Sequence, residues 1–460
     1  MEYLEIKNPW NNNIFDKIKK NTPSEIEEKI STAYRIVENR NFLPLSQRLQ
    51  ILEKLIILIE QNSEGLIVQA SKEGGKIIAD SSVEIARGID GIKSCIETLR
   101  TESGQVIPMN LNVASNNRMA FTQKEPIGLV LVISAFNHPF NLIIHQVIPA
   151  IAVGCPVIVK PAEDTPLSCN SLIELLYEAG LPKEYCHIII PQSLEIATQV
   201  VSDNRIAFLS FIGSSKVGWY LRSKLSPGTR CALEHGGMAP LFLEDDTNVD
   251  NAVKSITRAG FYHAGQVCVS VQKIFVHENI LNEFSKGLKE SVEKIIVGDQ
   301  LIESTEVGPL IRPQEVDRID NWVKSAIDNG ATLLTGGEKF SQTSYNPTIL
   351  LNPTDNDYVS KKEIFGPVVC IYNYKNLDDA IKRVNNFDVA FQTGIFTNKL
   401  DKCLEFYKKI NASAVFHNEH TAFRVDWMPF TGLKTSGHGV GGIKYTMNDM
   451  QIEKMLVLKN

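Results

Sequence analysis

The sequence predicts an α/β protein built on doubly wound parallel sheets, and three observations carry that expectation. From Ile127 onward, short β-branched runs alternate with apolar or amphipathic stretches of helical length. A second region with the same rhythm follows Gly236-Gly237. Finally, 460 residues are too many for one hydrophobic core, so the chain divides into two or three domains.

The elements follow in order. Leu4 to Pro9 alternates like a short strand. Thr22-Pro23-Ser24-Glu25 combines an N-cap threonine, a first-turn proline and a glutamate three residues on, which starts a helix carried by Ile26, Ile30, Ala33 and Val37. Further helices read near 46–61, 64–73 and 77–100. Residues 109–125 alternate around Ser115-Asn116-Asn117 and predict a hairpin. An isolated hairpin is marginal in water, so it should pack on something, such as another subunit. Strands then read at 127–135, 156–160, 186–190, 207–212 and 231–233, with helices near 142–152, 168–178, 193–201 and 216–224. That alternation is the rhythm of a dinucleotide-binding sheet. The second region gives strands at 241–243 and 368–372 and helices at 249–262, 281–295, 314–329 and 377–385. The tail ends in Met455-Leu456-Val457-Leu458, a strand expected to pair with a neighbour's hairpin.

Composition narrows the function classes. Lys and Arg number 47 against 53 Asp and Glu, a net charge of −6, so no basic field argues for nucleic acid or an anionic membrane. Apolar stretches such as 127–135 are too short to span a bilayer. Residues 1–14 are polar and Asn-rich, with no basic segment leading into an apolar one, so no signal peptide is expected. The eight cysteines (95, 155, 169, 186, 231, 268, 370 and 403) show no CxxC pair, and the nine histidines no HExxH pattern. Reduced thiols, a cytoplasmic location and no metal site are therefore expected.

Chemistry concentrates at Ala264-Gly265-Gln266-Val267-Cys268-Val269-Ser270. Cys268 falls at a helix-to-strand junction, after a glycine turn and before the alternating Val269, Val271, Ile274 and Val276. A thiolate is the nucleophilic form of cysteine, and a loop position beside backbone N–H groups is expected to lower the thiol pKa. Alone, such a cysteine reads more readily as a packing residue. The GxGxxG fingerprint is absent. Its nearest substitute is the turn around Gly213 and Ser214 in FIGSSKVG, where a helix N-terminus would face a phosphate.

Seven segments raise these weak signals together: FNHPFN at 136–141, VIVKPAED at 157–164, FIGSSKVG at 211–218, LEHGG at 233–237, GQVC at 265–268, EIFGPV at 363–368 and PFTGLKTSG at 429–437. In order and interval the whole chain resembles the aldehyde dehydrogenase superfamily, nearest the branch of lactaldehyde and phosphonoacetaldehyde dehydrogenases. The resemblance implies two doubly wound α/β domains plus a small β oligomerisation element. It places a dinucleotide-binding domain at 1–108 and 126–233, a catalytic domain at 234–423, and a bridging element at 109–125 and 424–460. A homodimer or homotetramer is implied.

By the same resemblance, Cys268 attacks an aldehyde to form a thiohemiacetal, Asn137 and the Cys268 N–H stabilise its oxyanion, and Glu234 activates water against the thioester. Lys160 and Glu163 match the adenine-ribose contacts, Gly213 and Ser214 the pyrophosphate turn, Glu363 the nicotinamide ribose and Phe365 the nicotinamide. Glu163 would repel a 2′-phosphate, so NAD is expected over NADP. Arg87, His138 and Arg424 match the substrate tunnel, where Arg and protonated His would favour a small hydroxylated or anionic aldehyde. Val267 stands where phosphonate-selective members carry arginine, which points towards lactaldehyde or a semialdehyde. His235 replaces a usual leucine and Thr431 a usual glycine. Two alternatives are a CoA-acylating relative, which the retained Glu234 argues against, and a catalytically silent NAD-binding protein of the same fold.

Overall fold

The computed structural model describes residues 2–459. Its first sheet has six strands in the order Gly437–His438, Arg230–Glu234, Ile206–Ile212, Leu129–Ile133, Val157–Lys160 and Cys186–Ile188. The last five are mutually parallel, and the Gly437–His438 edge is antiparallel. Leu129–Val132 is buried throughout because helices cover both sheet faces. Val130 and Val132 enter the core beneath Asn141–Val153 and Ile78–Thr101, while Leu129 and Leu131 meet Ile26, Ile30 and Ala33 of Pro23–Glu38 on the other side. The expected capping box forms, with Thr22 accepting from the Glu25 N–H and Glu25 from the Thr22 N–H.

The second sheet has seven strands in the order Thr332–Thr335, Thr348–Leu351, Val368–Tyr374, Lys273–His277, Pro240–Leu243, Gln392–Phe396 and Ala414–His417. All pairings are parallel except the Thr332–Thr335 edge. Register fixes its core: Phe242 lies opposite Phe275, and Phe275 opposite Tyr372, with ring centroids 5.0 and 5.2 Å apart. Helices Val249–Phe261, Leu281–Val292, Pro313–Asp328 and Leu377–Asn385 lie close to their expected ranges.

One expectation needs correction. Residues 109–125 do not form a closed hairpin. Asn112 caps Ser115 in a short 3-10 turn and Asn110 accepts from the Asn117 N–H, so these side chains bend the chain rather than extend a ladder. The long strand Arg118–Pro126 pairs instead with Val106–Ile107 and with the tail. The tail Gln451–Lys459 pairs with its own chain over nine residue pairs and stands at the sheet edge, with its other side open.

Residues 424–450, grouped from sequence with the bridging element, return to the first sheet. Gly437–His438 forms its edge, and Ile443 and Met447 of helix Ile443–Asp449 enter its core. A two-stranded pair, Tyr3–Lys7 with Ile14–Lys19, lay half outside the sequence reading. Among the described residues, no helix is long and apolar enough to cross a membrane, and no cluster of three or more His, Cys, Asp or Glu offers a metal site.

Candidate active site

The cysteine turn is set by an unusual backbone. His263, Ala264 and Gly265 follow one another with φ of 48, 53 and 71°, reversing the chain between Val249–Phe261 and Lys273–His277. A side chain at Gly265 would collide with the Gly366 carbonyl, so the EIFGP loop packs directly on this turn. Gln266 pins it further: its side-chain oxygen accepts from the Ile311 N–H at 3.0 Å, and its backbone carbonyl accepts from Asn137 Nδ2 at 2.9 Å. That bond brings the FNHPFN loop to the cysteine turn and leaves the second Asn137 amide hydrogen free to donate.

Cys268 is partly exposed in a cleft of about 690 Å³, which lies against the C-terminal ends of the parallel strands of the first sheet. Every candidate residue named from sequence lines this cleft: Asn137, Lys160, Glu163, Gly213, Ser214, Glu234, Glu363, Phe365, Arg87, His138 and Arg424 join Cys268. Lys160 and Glu234 close their strands, and Ile212 pairs with Glu234, which sets the Gly213 turn beside the candidate base.

The electrostatics overturn one expectation. Burial pushes the Cys268 thiol up to about 12, and the carboxyls of Glu363 and Glu234 push the same way; Arg424 and the backbone N–H oppose them without prevailing. The resting thiol is therefore protonated, and the lowering expected from the loop N–H is outweighed by desolvation. Burial also raises Glu234 to about 7, against the pull of Arg424, and Glu363 to about 8, against Lys273 and Arg318. Glycines admit both carboxyls: a Cβ at Gly441 would overlap Glu234, and one at Gly236 would overlap Glu363.

The nucleotide candidates form a connected wall. Lys160 Nζ lies 3.6 Å from the exposed Glu163 carboxylate. Ser214 is the N-cap of Ser215–Arg222 but makes no side-chain cap bond, so its hydroxyl is not consumed there. Glu363 Oε1 is buried without a hydrogen-bond partner, and Phe365 is held at φ 50° with its ring edge-on to Phe136 at 5.9 Å. An orphaned acceptor, an open helix start and an exposed carboxylate along one groove suit a dinucleotide.

The substrate candidates need a second correction. His138 is buried, with Nε2 3.1 Å from the Tyr262 hydroxyl; burial foremost, then Lys76, His263 and Arg87, keeps it neutral. It contributes a hydrogen bond, not a positive charge. Arg87 forms a fork with Asp426, which also bonds His145. Arg424 donates to the Met428 carbonyl at 2.8 Å and lies over the Phe430 ring; burial lowers it to about 10, so it stays charged near neutrality.

Sequence reasoning missed Asp426, which bonds Arg87 and His145, the cleft residues His145 and Tyr262, and a wall formed by Arg312, the N-cap of Pro313–Asp328, with Glu315, Arg318 and Trp322 of that helix. No local signal marks the Arg87–Asp426 pair, because its members stand 339 residues apart. Nothing in the structure explains Thr431.

The aldehyde dehydrogenase family model matches residues 1–456. A 3-sulfolactaldehyde dehydrogenase from Priestia aryabhattai is 35% identical over 457 residues, covering 99% of this chain and 95% of the relative. A lactaldehyde dehydrogenase from Methanococcus vannielii is 34% identical over 463 residues, covering 100% and 98%. Among solved structures, a glyceraldehyde-3-phosphate dehydrogenase from Methanocaldococcus jannaschii complexed with NADP superposes with a TM-score of 0.94 at 32% identity, covering 99% of each chain.

Proposed function

The chain belongs to the aldehyde dehydrogenase family, and from that premise we propose that it oxidises a small hydroxylated or anionic aldehyde to its carboxylic acid, with NAD as preferred oxidant and water as acyl acceptor. The observation that carries this reading is the convergence of Cys268, Asn137 and Glu234 in the one cleft that also holds Glu363 and Phe365.

With its thiol near 12, Cys268 needs a base, and Glu234, raised by burial to about 7, takes that role. Loss of the thiol proton lets sulfur bond to the aldehyde carbon. Negative charge moves onto oxygen, where the free Asn137 N–H and the Cys268 N–H receive it; one such aimed donor is typically worth about 3 kcal/mol. A bound nicotinamide supplies the hydride acceptor that turns the thiohemiacetal into a thioester. After releasing the thiol proton to solvent, Glu234 takes a proton from water as the water oxygen attacks the thioester carbon; the carbon–sulfur bond breaks, the acid leaves and the departing sulfur takes that proton back from Glu234.

Substrate choice follows from unequal cations. Arg424 keeps its charge, Arg87 is largely offset by Asp426, and His138 with Tyr262 offers neutral hydrogen bonding. One effective cation beside hydroxyl partners suits a 2-hydroxyaldehyde with at most a single negative charge. Lactaldehyde and 3-sulfolactaldehyde, named for two relatives, are both 2-hydroxyaldehydes. The exposed Glu163 beside Lys160 supports NAD over NADP, although one relative is complexed with NADP. Retention of Glu234 favours water over coenzyme A. The proposal includes a cytoplasmic location, which suits eight free cysteines, and a homodimer or homotetramer joined through the exposed apolar tail.

The deciding experiment follows reduced-nucleotide formation with lactaldehyde, 3-sulfolactaldehyde, succinic semialdehyde and propanal, each with NAD, NADP and added coenzyme A. Highest kcat/KM for a hydroxylated or anionic aldehyde with NAD, and no thioester with coenzyme A, is expected. Absence of turnover on every aldehyde would refute the reading.

A further inference from the structure

His235 stands where the resemblance implies a leucine. It follows Glu234 directly, lines the same cleft, and is buried against the glycine turn. Its Nδ1 lies 2.9 Å from the Gly213 carbonyl oxygen, and only a protonated Nδ1 donates there. The Gly213 N–H in turn donates to the Glu234 carbonyl at 3.1 Å. Both backbone groups of Gly213 are thus held by two consecutive residues, one of them the candidate base.

Aromatic and glycine neighbours hold the ring. Phe211 meets it edge-on at 5.7 Å, Trp219 tilts over it at 6.0 Å, and a Cβ at Gly218 would overlap it. The His235 N–H donates to the Ser436 carbonyl at 3.0 Å. Its Nε2 has no partner and burial lowers its basicity, which agrees with a neutral ring carrying its proton on Nδ1. A leucine here would pack, but would leave the Gly213 carbonyl without this donor.

We infer that His235 is a positioning residue for nucleotide binding: its Nδ1–H fixes the Gly213–Ser214 turn so that the start of helix Ser215–Arg222 faces the pyrophosphate. This rests on the reading of that turn as the pyrophosphate site. His235 thereby couples the cofactor groove to the strand carrying Glu234 without touching the reacting atoms.

The test measures NADH and NADPH binding by fluorescence and calorimetry, alongside KM values, for the wild type, His235→Leu and His235→Asn. Asn is chosen because its Nδ2 occupies the place of the imidazole Nδ1. His235→Leu is expected to weaken binding of the preferred nucleotide about tenfold, the size of one lost hydrogen bond. Its nucleotide KM should rise while the aldehyde KM stays, and His235→Asn should recover most of the loss. Wild-type affinity in the leucine variant, or an asparagine variant no better than the leucine one, would overturn the role of His235. A wild-type protein that binds neither nucleotide would instead overturn the pyrophosphate reading itself.

Discussion

Asp426 accepts hydrogen bonds from both Nη2 and Nε of Arg87, at 2.6 and 3.2 Å, and the same carboxylate bonds His145 at 2.8 Å. Three elements meet here: helix Ile78–Thr101, helix Asn141–Val153 and the loop that carries Arg424. Burial works against the Asp426 charge, yet His145 and Arg87 hold its pKa well below the usual carboxylate range. Arg87 therefore presents a largely neutralised guanidinium to the cleft.

Substituting Asp426 by Asn keeps the shape and removes the offsetting charge. Arg87 would then act on the substrate as a full cation, and a charge-assisted hydrogen bond is typically worth about 1.5–3 kcal/mol. The ratio of kcat/KM for succinic semialdehyde to that for lactaldehyde should rise roughly tenfold. An unchanged ratio would remove Arg87 from substrate selection.

Glu234 sets the expected pH dependence. Burial raises its carboxyl to about 7, so the base form gains population as pH rises through 7 and is lost below it. Steady-state turnover should fall on the acid side of about pH 7, where hydrolysis of the thioester lacks its base. Glu234→Gln should slow both the burst of reduced nucleotide and later turnover, by about 10²-fold or more, and should lose the inflection near 7. Arg424→Ala removes a charge that lowers Glu234, so its inflection should move up. Cys268→Ala should abolish burst and turnover while nucleotide still binds. Stopped-flow traces over a pH series separate these outcomes, and a glutamine variant with wild-type steady-state rate would count against the base.

What the sequence disclosed was local. Continuous apolar runs such as Leu129–Ile133 and the Thr22–Glu25 box announce their own elements, because both signals lie within a few residues. Candidate residues from six of the seven motifs, with Arg87 and Arg424, meet in one cleft, since strand ends and the turns that follow them gather at one end of the sheet. Tertiary properties were illegible. Cys268 and His138 are governed by desolvation, which depends on what covers them, and Asp426 matters through a partner 339 residues away. Strand Gln392–Phe396 escaped notice because it opens with Gln392, Thr393 and Gly394 rather than an apolar run, although all five residues are buried and Gly394 packs against Leu241.

Glu163 offers a test of nucleotide choice. Its exposed carboxylate stands 3.6 Å from Lys160 at the end of Val157–Lys160, where a ribose would sit beside both. Glu163→Ser should lower kcat/KM with NAD and raise it with NADP, since the substitution removes a repulsion and leaves the lysine. If the NADP to NAD ratio stays constant, the 2′-position lies elsewhere.

The tail strand carries the last prediction. Successive residues of a strand point to opposite sheet faces, yet Met455, Leu456, Val457 and Leu458 are 55, 49, 43 and 43% exposed, so neither face is covered by this chain. Val106, Met119 and Phe121 extend the same exposed apolar surface on neighbouring strands. Contiguous apolar area of this kind marks an interaction surface, and the free edge of Gln451–Lys459 offers unpaired backbone groups beside it. A second copy of the chain would satisfy both requirements. Sedimentation of the wild type should therefore give a multiple of 51.3 kDa. Met455→Glu with Val457→Glu charges one face and Leu456→Glu with Leu458→Glu the other, and at least one pair should shift the particle towards the single chain. Because every candidate active-site residue comes from one chain, nucleotide binding should survive that shift. A wild type sedimenting at 51.3 kDa, or two charged pairs that leave a larger particle intact, would refute the tail as the joining surface.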